Sequence, residues 1–169
     1  MKDSNSSSFP ISAGVLLGLG LGGFFDGIVF HQLLQWHHML SGWYPLDSIE
    51  NVKLNTTWDG IFHSAAYVVV LLGLYVLWQR ARRSDIHLSG SRCLGAILLG
   101  WGIFNLVEGV MDHEILKLHR VNETVPDEQR IFWDIGFLLW GAAMLVVGVA
   151  VARACKQGRV HAESSLQAR

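Results

Sequence analysis

Four long apolar segments, each with ionisable residues crowded at one end, constrain this chain more than any other feature. They run from Ile11 to about Leu40, about Trp58 to Trp78, about Cys93 to Leu118, and about Ile131 to Ala152. The stretches Ile11–Phe25, Ser64–Trp78, Cys93–Val107 and Ile135–Ala152 carry no charge. A helix needs roughly 20 mostly apolar residues to cross a bilayer's hydrocarbon. Each segment reaches that length only with a few ionisable residues inside it. None shows a broad polar face at helical period, which argues against a soluble bundle of amphipathic helices. The expected fold is all-α, a four-transmembrane-helix bundle over 11–152 in one domain, with polar tails at 1–10 and 153–169. The first segment does not read as a signal peptide, because no small-residue cleavage site follows and Asp26 and His31 continue the helix.

Composition agrees with this. In 169 residues, 51% are hydrophobic and 16% charged, which excludes a disordered chain. Two cysteines do not make a disulfide scaffold. A net charge of -1 gives no reason to expect nucleic acid as a partner; the partner expected is the lipid bilayer. Gly14, Gly18 and Gly22 are spaced by four, as are Gly23 and Gly27, a spacing that lets membrane helices approach closely. Trp36, Trp43, Tyr44, Trp58 and Trp133 suit an aromatic belt at one boundary, and Trp78 the other.

Loop charge predicts orientation. Of 13 Lys and Arg, nine fall on one side: Lys2, Arg80, Arg82, Arg83, Arg92, Arg153, Lys156, Arg159 and Arg169. Lys53, Lys117, Arg120 and Arg130 fall on the other. Both termini and the middle loop are therefore expected in the cytoplasm, with the chain in the inner (plasma) membrane. Cys93 and Cys155 then lie at cytoplasmic ends, where a disulfide is not expected.

The chain resembles itself. Residues 16–39 align with 98–121 at a shift of 82, with eight of 24 positions identical: Leu16, Leu17, Gly18, Gly20, Gly27, His31, Leu34 and His37. Both copies carry acid-Gly-x3-His-x5-His. At a shift of 75, Trp58-Asp59 meets Trp133-Asp134, Phe62 meets Phe137 and Gly73 meets Gly148, while His63 meets Leu138. A duplicated helical hairpin is the expected origin, a parallel internal repeat with halves at about 11–78 and 93–152, related by a two-fold axis along the membrane normal.

The ionisable residues of the segments gather in the half expected to face outward. They are Asp26, His31, His37 and His38 in the first, Asp59 and His63 in the second, Glu108, Asp112, His113, Glu114 and His119 in the third, and Asp134 in the fourth. A charge near the bilayer centre costs roughly 2.5–3.5 kcal/mol on insertion scales, so these groups must face each other, water or a metal. On an α-helix Asp59 and His63 share a face, whereas His31 and His113 lie about 140° from Asp26 and Glu108. The expectation is therefore two tiers of polar groups, or bent helices. Asp134, like Asp59, follows a Trp near its helix start, where an acid also complements the dipole.

The run Phe25-Asp26-Gly27-Ile28-Val29-Phe30-His31-Gln32-Leu33-Leu34-Gln35-Trp36-His37-His38, with Trp58-Asp59-Gly60-Ile61-Phe62-His63 and Glu108-Gly109-x3-His113, resembles small bacterial multi-pass membrane proteins catalogued as domain of unknown function 2243. The resemblance spans roughly residues 10–150. It implies no activity, and at most a link to copper, haem or respiration.

The function expected is that of a membrane metalloprotein. Its candidate ligands are His31, His63, His113 and Glu108, with Asp26, Asp59, His37 and His119. Mixed His/carboxylate donors suit Zn or non-haem Fe; Cu fits less well, since only Met39 and Met111 offer nearby sulfur. Enzymatic and non-enzymatic readings both stand: a metal centre acting on a membrane or lipid-soluble substrate, or a haem-binding, proton-relay, oxidase-assembly or scaffold protein. Association with itself or with a respiratory complex is compatible with either.

Overall fold

The computed structural model describes residues 7–8, 10–82, 86–87 and 89–167, with side chains over 10–82 and 89–154. Lys2, Arg83, Lys156, Arg159, Arg169 and Cys155, used above for orientation and redox state, lie outside the described side chains. Helix α1 spans Ile11–Phe25 and widens into a π-helical segment over Asp26–Leu33. Helix α2 spans Ile49–Ala81. Helix α3 spans Gly90–Glu108 and widens in the same way over Gly109–Ile115. Helix α4 spans Asp127–Gln167. A two-residue strand pair, β1 (Ser7–Ser8) beside β2 (Ile86–His87), runs parallel. Four stretches are long and apolar enough to cross a membrane: Ile11–Leu33, Ile49–Ala81, Gly90–Ile115 and Asp127–Ala154.

Helices α1 and α3 form a central pair, with α2 packed on α1 and α4 packed on α3. Backbones touch at the central crossing because glycine occupies it on both sides. A Cβ on Gly18 would sit 2.1 Å from the carbonyl oxygen of Ile97, and one on Gly100 2.1 Å from that of Val15. Without a hydrophobic drive between helices in lipid, such close packing supplies the attraction. The outward faces of α2 and α4 stay apolar, with Tyr67, Val68, Leu139 and Val146 more than half exposed.

Element boundaries differ from expectation in four places. The first helix ends at Leu33 rather than near Leu40, and the third at Ile115 rather than Leu118. Both end at a left-handed residue, Gln35 (φ 49°) and Lys117 (φ 53°). There Trp36 N donates to Phe30 O at 2.9 Å and Leu118 N to Asp112 O at 2.8 Å, a Schellman-like cap widened to fit a π turn. His37, His38 and His119 therefore sit in loops rather than on helices. Helix α2 begins nine residues before Trp58, capped by Ser48, whose Oγ accepts from Asn51 N at 3.2 Å. Helix α4 runs on through the segment expected to be a polar tail.

The loops 34–48 and 116–126 are knitted together at one end of the bundle. Gly42 N donates to Leu118 O at 2.7 Å, and Glu123 N to Trp36 O at 2.9 Å. Asn55, fully buried, donates to Tyr44 O at 2.8 Å and accepts from Leu40 N at 2.9 Å, fixing the first loop on α2.

The glycine crossing yields a test. Gly18→Ala or Gly100→Ala must push α1 and α3 apart, at about 1–3 kcal/mol, the usual range for overpacking. Thermal unfolding in detergent should show a lowered midpoint for both. Gly60→Ala, with nothing within 4 Å of its added Cβ, should leave it unchanged.

Candidate metal centre

The polar cluster starts from the π-helical segments. Asp26 and His31 are five residues apart, as are Glu108 and His113. In an α-helix that spacing turns them to different faces, but a π turn hydrogen-bonds residues i and i+5 and brings both onto one face. Asp26 Oδ2 consequently lies 2.9 Å from Nε2 of His31 and 3.8 Å from Nε2 of His37, in neither case with hydrogen-bond alignment. The choice between two tiers and bent helices is resolved by a third device, the widened turn.

The loops then return two more imidazoles. His37 and His119 stack face to face, with centroids 4.3 Å apart and planes 3° from parallel. His31 lies 4.6 Å from His37, and His113 4.9 Å from His119, centroid to centroid. Each stacked ring is held by a carbonyl across the loop junction: Nδ1 of His37 donates to Val121 O at 2.8 Å, and Nδ1 of His119 to Met39 O at 3.2 Å. A carbonyl only accepts, so the proton is on Nδ1 and the lone pair on Nε2.

Acids on the flanking helices form an outer layer. Asp59 accepts from Met39 N at 2.9 Å and Gln32 Nε2 at 3.4 Å, and meets Nδ1 of His31 at 2.8 Å and of His38 at 2.5 Å. Its carboxylate is thus saturated, and its geometry is that of a group that orients His31 rather than one that points into the cluster. Asp134 accepts from Val121 N at 3.0 Å and Arg120 Nη1 at 2.8 Å, with His113 Nδ1 at 3.9 Å. Arg120 also reaches Glu114 at 2.9 Å.

Inside these layers, several buried polar atoms make no hydrogen bond: Nε2 of His31, His37 and His119, both nitrogens of His113, both carboxylate oxygens of Asp26, and Oε2 of Glu108. All six side chains belong to residues at most 5% exposed. Two sets bring their ligating atoms within 4.8 Å of one another: His31, His37 and His119, and Glu108, His113 and His119. His63 stands apart from both. Its Nδ1 bonds Asp59 O one turn back at 2.7 Å, and its ring packs on Phe24 and Phe62. The structure therefore brings together His31, His37, His113, His119, Asp26 and Glu108, with Asp59 behind them and His63 to the side.

Sequence reasoning missed Asn55 and the pairing of Arg120 with Asp134. The alignment at a shift of 82 does set Arg120 against His38, and each meets the acid of its own flanking helix. Outside the spanning segments, burial, reinforced by the neighbouring imidazoles of His37 and His113, holds the His119 imidazole well below its ordinary pKa. The ring stays neutral, the form that can coordinate a metal.

The Arg120–Asp134 pair can be tested by a double-mutant cycle. Arg120→Met strands a carboxylate that is 1% exposed. It should destabilise by about 3 kcal/mol, the low end for breaking a buried pair, because the guanidinium is partly exposed. Adding Asp134→Asn should recover most of that loss in detergent unfolding.

A family model described as "Predicted membrane protein (DUF2243)" matches residues 13–155. No curated protein and no solved structure matches the chain. Apart from Ile11 and Ser12, the matched span takes in the four stretches long and apolar enough to cross a membrane and every residue of the histidine and carboxylate cluster, and the chain belongs to this DUF2243 family of predicted membrane proteins.

Proposed function

We propose that this protein is a membrane metalloprotein whose buried cluster holds Zn or non-haem Fe through His31, His37, His113 and His119 with Asp26 and Glu108. One observation carries the reading: imidazole lone pairs and carboxylate oxygens, nine-tenths buried or more, converge without hydrogen-bond partners. A buried polar atom left unpaired costs about 1–3 kcal/mol, more if charged, and coordination removes that cost. The outer layer supports it too, since metal-binding imidazoles are characteristically fixed through their second nitrogen by a carbonyl or carboxylate. Haem suits the site poorly, because the stacked rings of His37 and His119 leave no slot for a porphyrin between them. With protein ligands on part of its sphere, such a metal can activate water or bind oxygen, in a hydrolytic or a redox role.

The expected duplication is supported by contacts that recur at the same shifts. The caps at Gln35 and Lys117, the π segments and the glycine contacts Gly18–Ile97 and Gly100–Val15 all pair at 82. Asp59 meets His31, His38 and Met39, and Asp134 meets their counterparts His113, Arg120 and Val121. On this reading the carbonyl bonds His37–Val121 and His119–Met39 are the two mates of one two-fold contact. The positive-inside bias of the loops would turn the cluster toward the outer face of the plasma membrane.

A second reading has its own observation. Asp26, His31, Asp59 and His38 form a chain of acid and imidazole contacts at 2.9, 2.8 and 2.5 Å, the last two of them hydrogen bonds, ending at a side chain 14% exposed. Such a chain can relay protons, with or without a metal at its inner end.

Two measurements test these proposals. Elemental analysis of purified, tag-free protein should find Zn or Fe. His37→Ala, His113→Ala and His119→Ala should each lower affinity 10–100-fold or more, whereas His63→Ala should keep the metal. Wild-type protein without metal after metal-replete growth would leave the proton relay standing. For orientation, Glu50→Cys in a background lacking both native cysteines should be labelled in intact cells by an impermeant reagent, and Arg82→Cys should not. The reverse pattern would turn the cluster toward the cytoplasm.

A further inference from the structure

We propose that the centre takes two divalent cations, one on each half of the cluster. Asp26, His31 and His37 hold the first, and Glu108, His113 and His119 hold the second. This rests on the metalloprotein reading above and specifies its nuclearity.

The donors do not form one sphere. Zinc bonds are about 2.0–2.2 Å, so the donors of one ion must all lie within roughly 4.4 Å of each other. The candidate atoms instead divide into overlapping groups: Glu108, His113 and His119 in one, His31, His37 and His119 in another. Asp26 completes the first half, with Oδ2 at 2.9 Å from His31 Nε2 and 3.8 Å from His37 Nε2. His119 cannot serve two ions, since its Nδ1 is committed to Met39 O and only Nε2 is left. The same commitment to Val121 O limits His37 to one ion. With His37 and His119 each limited to one ion, the six donor side chains sort into two sets of two imidazoles and one carboxylate.

That donor set is chemically complete. Two histidines and one carboxylate make the facial triad of non-haem iron and the His2Glu set of catalytic zinc, and both leave open positions. The stacked rings of His37 and His119, one from each set, put the two halves side by side. Two neighbouring ions can act jointly on one small ligand, as in two-metal sites.

Charge also calls for cations here. Asp26, Asp59, Glu108 and Asp134 are all at most 5% exposed, and Arg120 on Asp134 is the one Lys or Arg in salt-bridge contact with any of them among the described residues. Four carboxylates against one guanidinium leave an excess of negative charge in a low dielectric, which divalent cations offset.

The test is a count. Full-length protein in detergent is stripped with a chelator and titrated with Co(II), and bound metal per chain is read by elemental analysis. Two Co(II) per chain are expected, with the magnetic resonance signal weakened by coupling between neighbouring ions. The double variant Asp26→Asn/His31→Ala should bind one ion, and so should Glu108→Gln/His113→Ala. Saturation of wild type at one Co(II) overturns the two-ion proposal while the metalloprotein reading survives. Failure to bind any Co(II) overturns both. If either double variant elutes as a folded species and binds none, a single shared ion is indicated and the proposal is wrong. The wild-type titration decides the count even where a variant does not fold.

Discussion

A carboxylate inside a bilayer needs a counter-charge, a donor or a metal, and the polar end of this bundle is arranged around that requirement. Four acids lie in the spanning helices at burial levels where water cannot serve them. Asp59 is satisfied by two imidazoles, a backbone N–H and a glutamine amide. Asp134 is satisfied by a guanidinium and a backbone N–H. Asp26 and Glu108 have no comparable set of donors, and they are the acids that face the four imidazoles. The division into satisfied and unsatisfied acids separates the groups that position from those available to bind.

The π turns make this possible. A wider turn is rare, and where it occurs it is frequently at a functional site. Here it rotates His31 onto the face of Asp26, and His113 onto that of Glu108. It also ends the helix early, so the following residues leave through a left-handed cap and bring His37 and His119 back over the helix end. Glycine at the first position after each acid fits the tightness of the site: a Cβ on Gly27 would meet the His63 ring at 2.5 Å, and one on Gly109 the Leu138 side chain at 2.7 Å.

The π segments after α1 and α3 end in like caps, while the groups that meet the flanking acids are unlike in charge. His38 on Asp59 corresponds to Arg120 on Asp134. The His38 imidazole offers a donor or an acceptor at each nitrogen, whereas the Arg120 guanidinium only donates. The Arg120 side is instead an ion-paired strut that holds the second loop and the base of α4 together.

How much was legible in the sequence follows from what each signal depends on. Spans depend on local composition, and the four apolar stretches are present close to where hydropathy puts them. The gathering of polar residues at one end is likewise a property of linear order, as is the acid-Gly-x3-His-x5-His pattern. The role of each residue is not. Asp59-x3-His63 looks like a chelate because i,i+4 side chains are neighbours on a helix, yet the Asp59 carboxylate turns toward His31 and His38 while His63 bonds a backbone carbonyl. The offset of about 140° between His31 or His113 and its acid holds only for an α-helical turn. Helix width, loop return and the stacking of His37 on His119 come from contacts between segments some 80 residues apart. Linear order determined that histidines and acids meet at one end of a four-helix membrane bundle. Only the packing of α1 on α3, and of one loop on the other, decided which of their atoms are held by protein and which are left free.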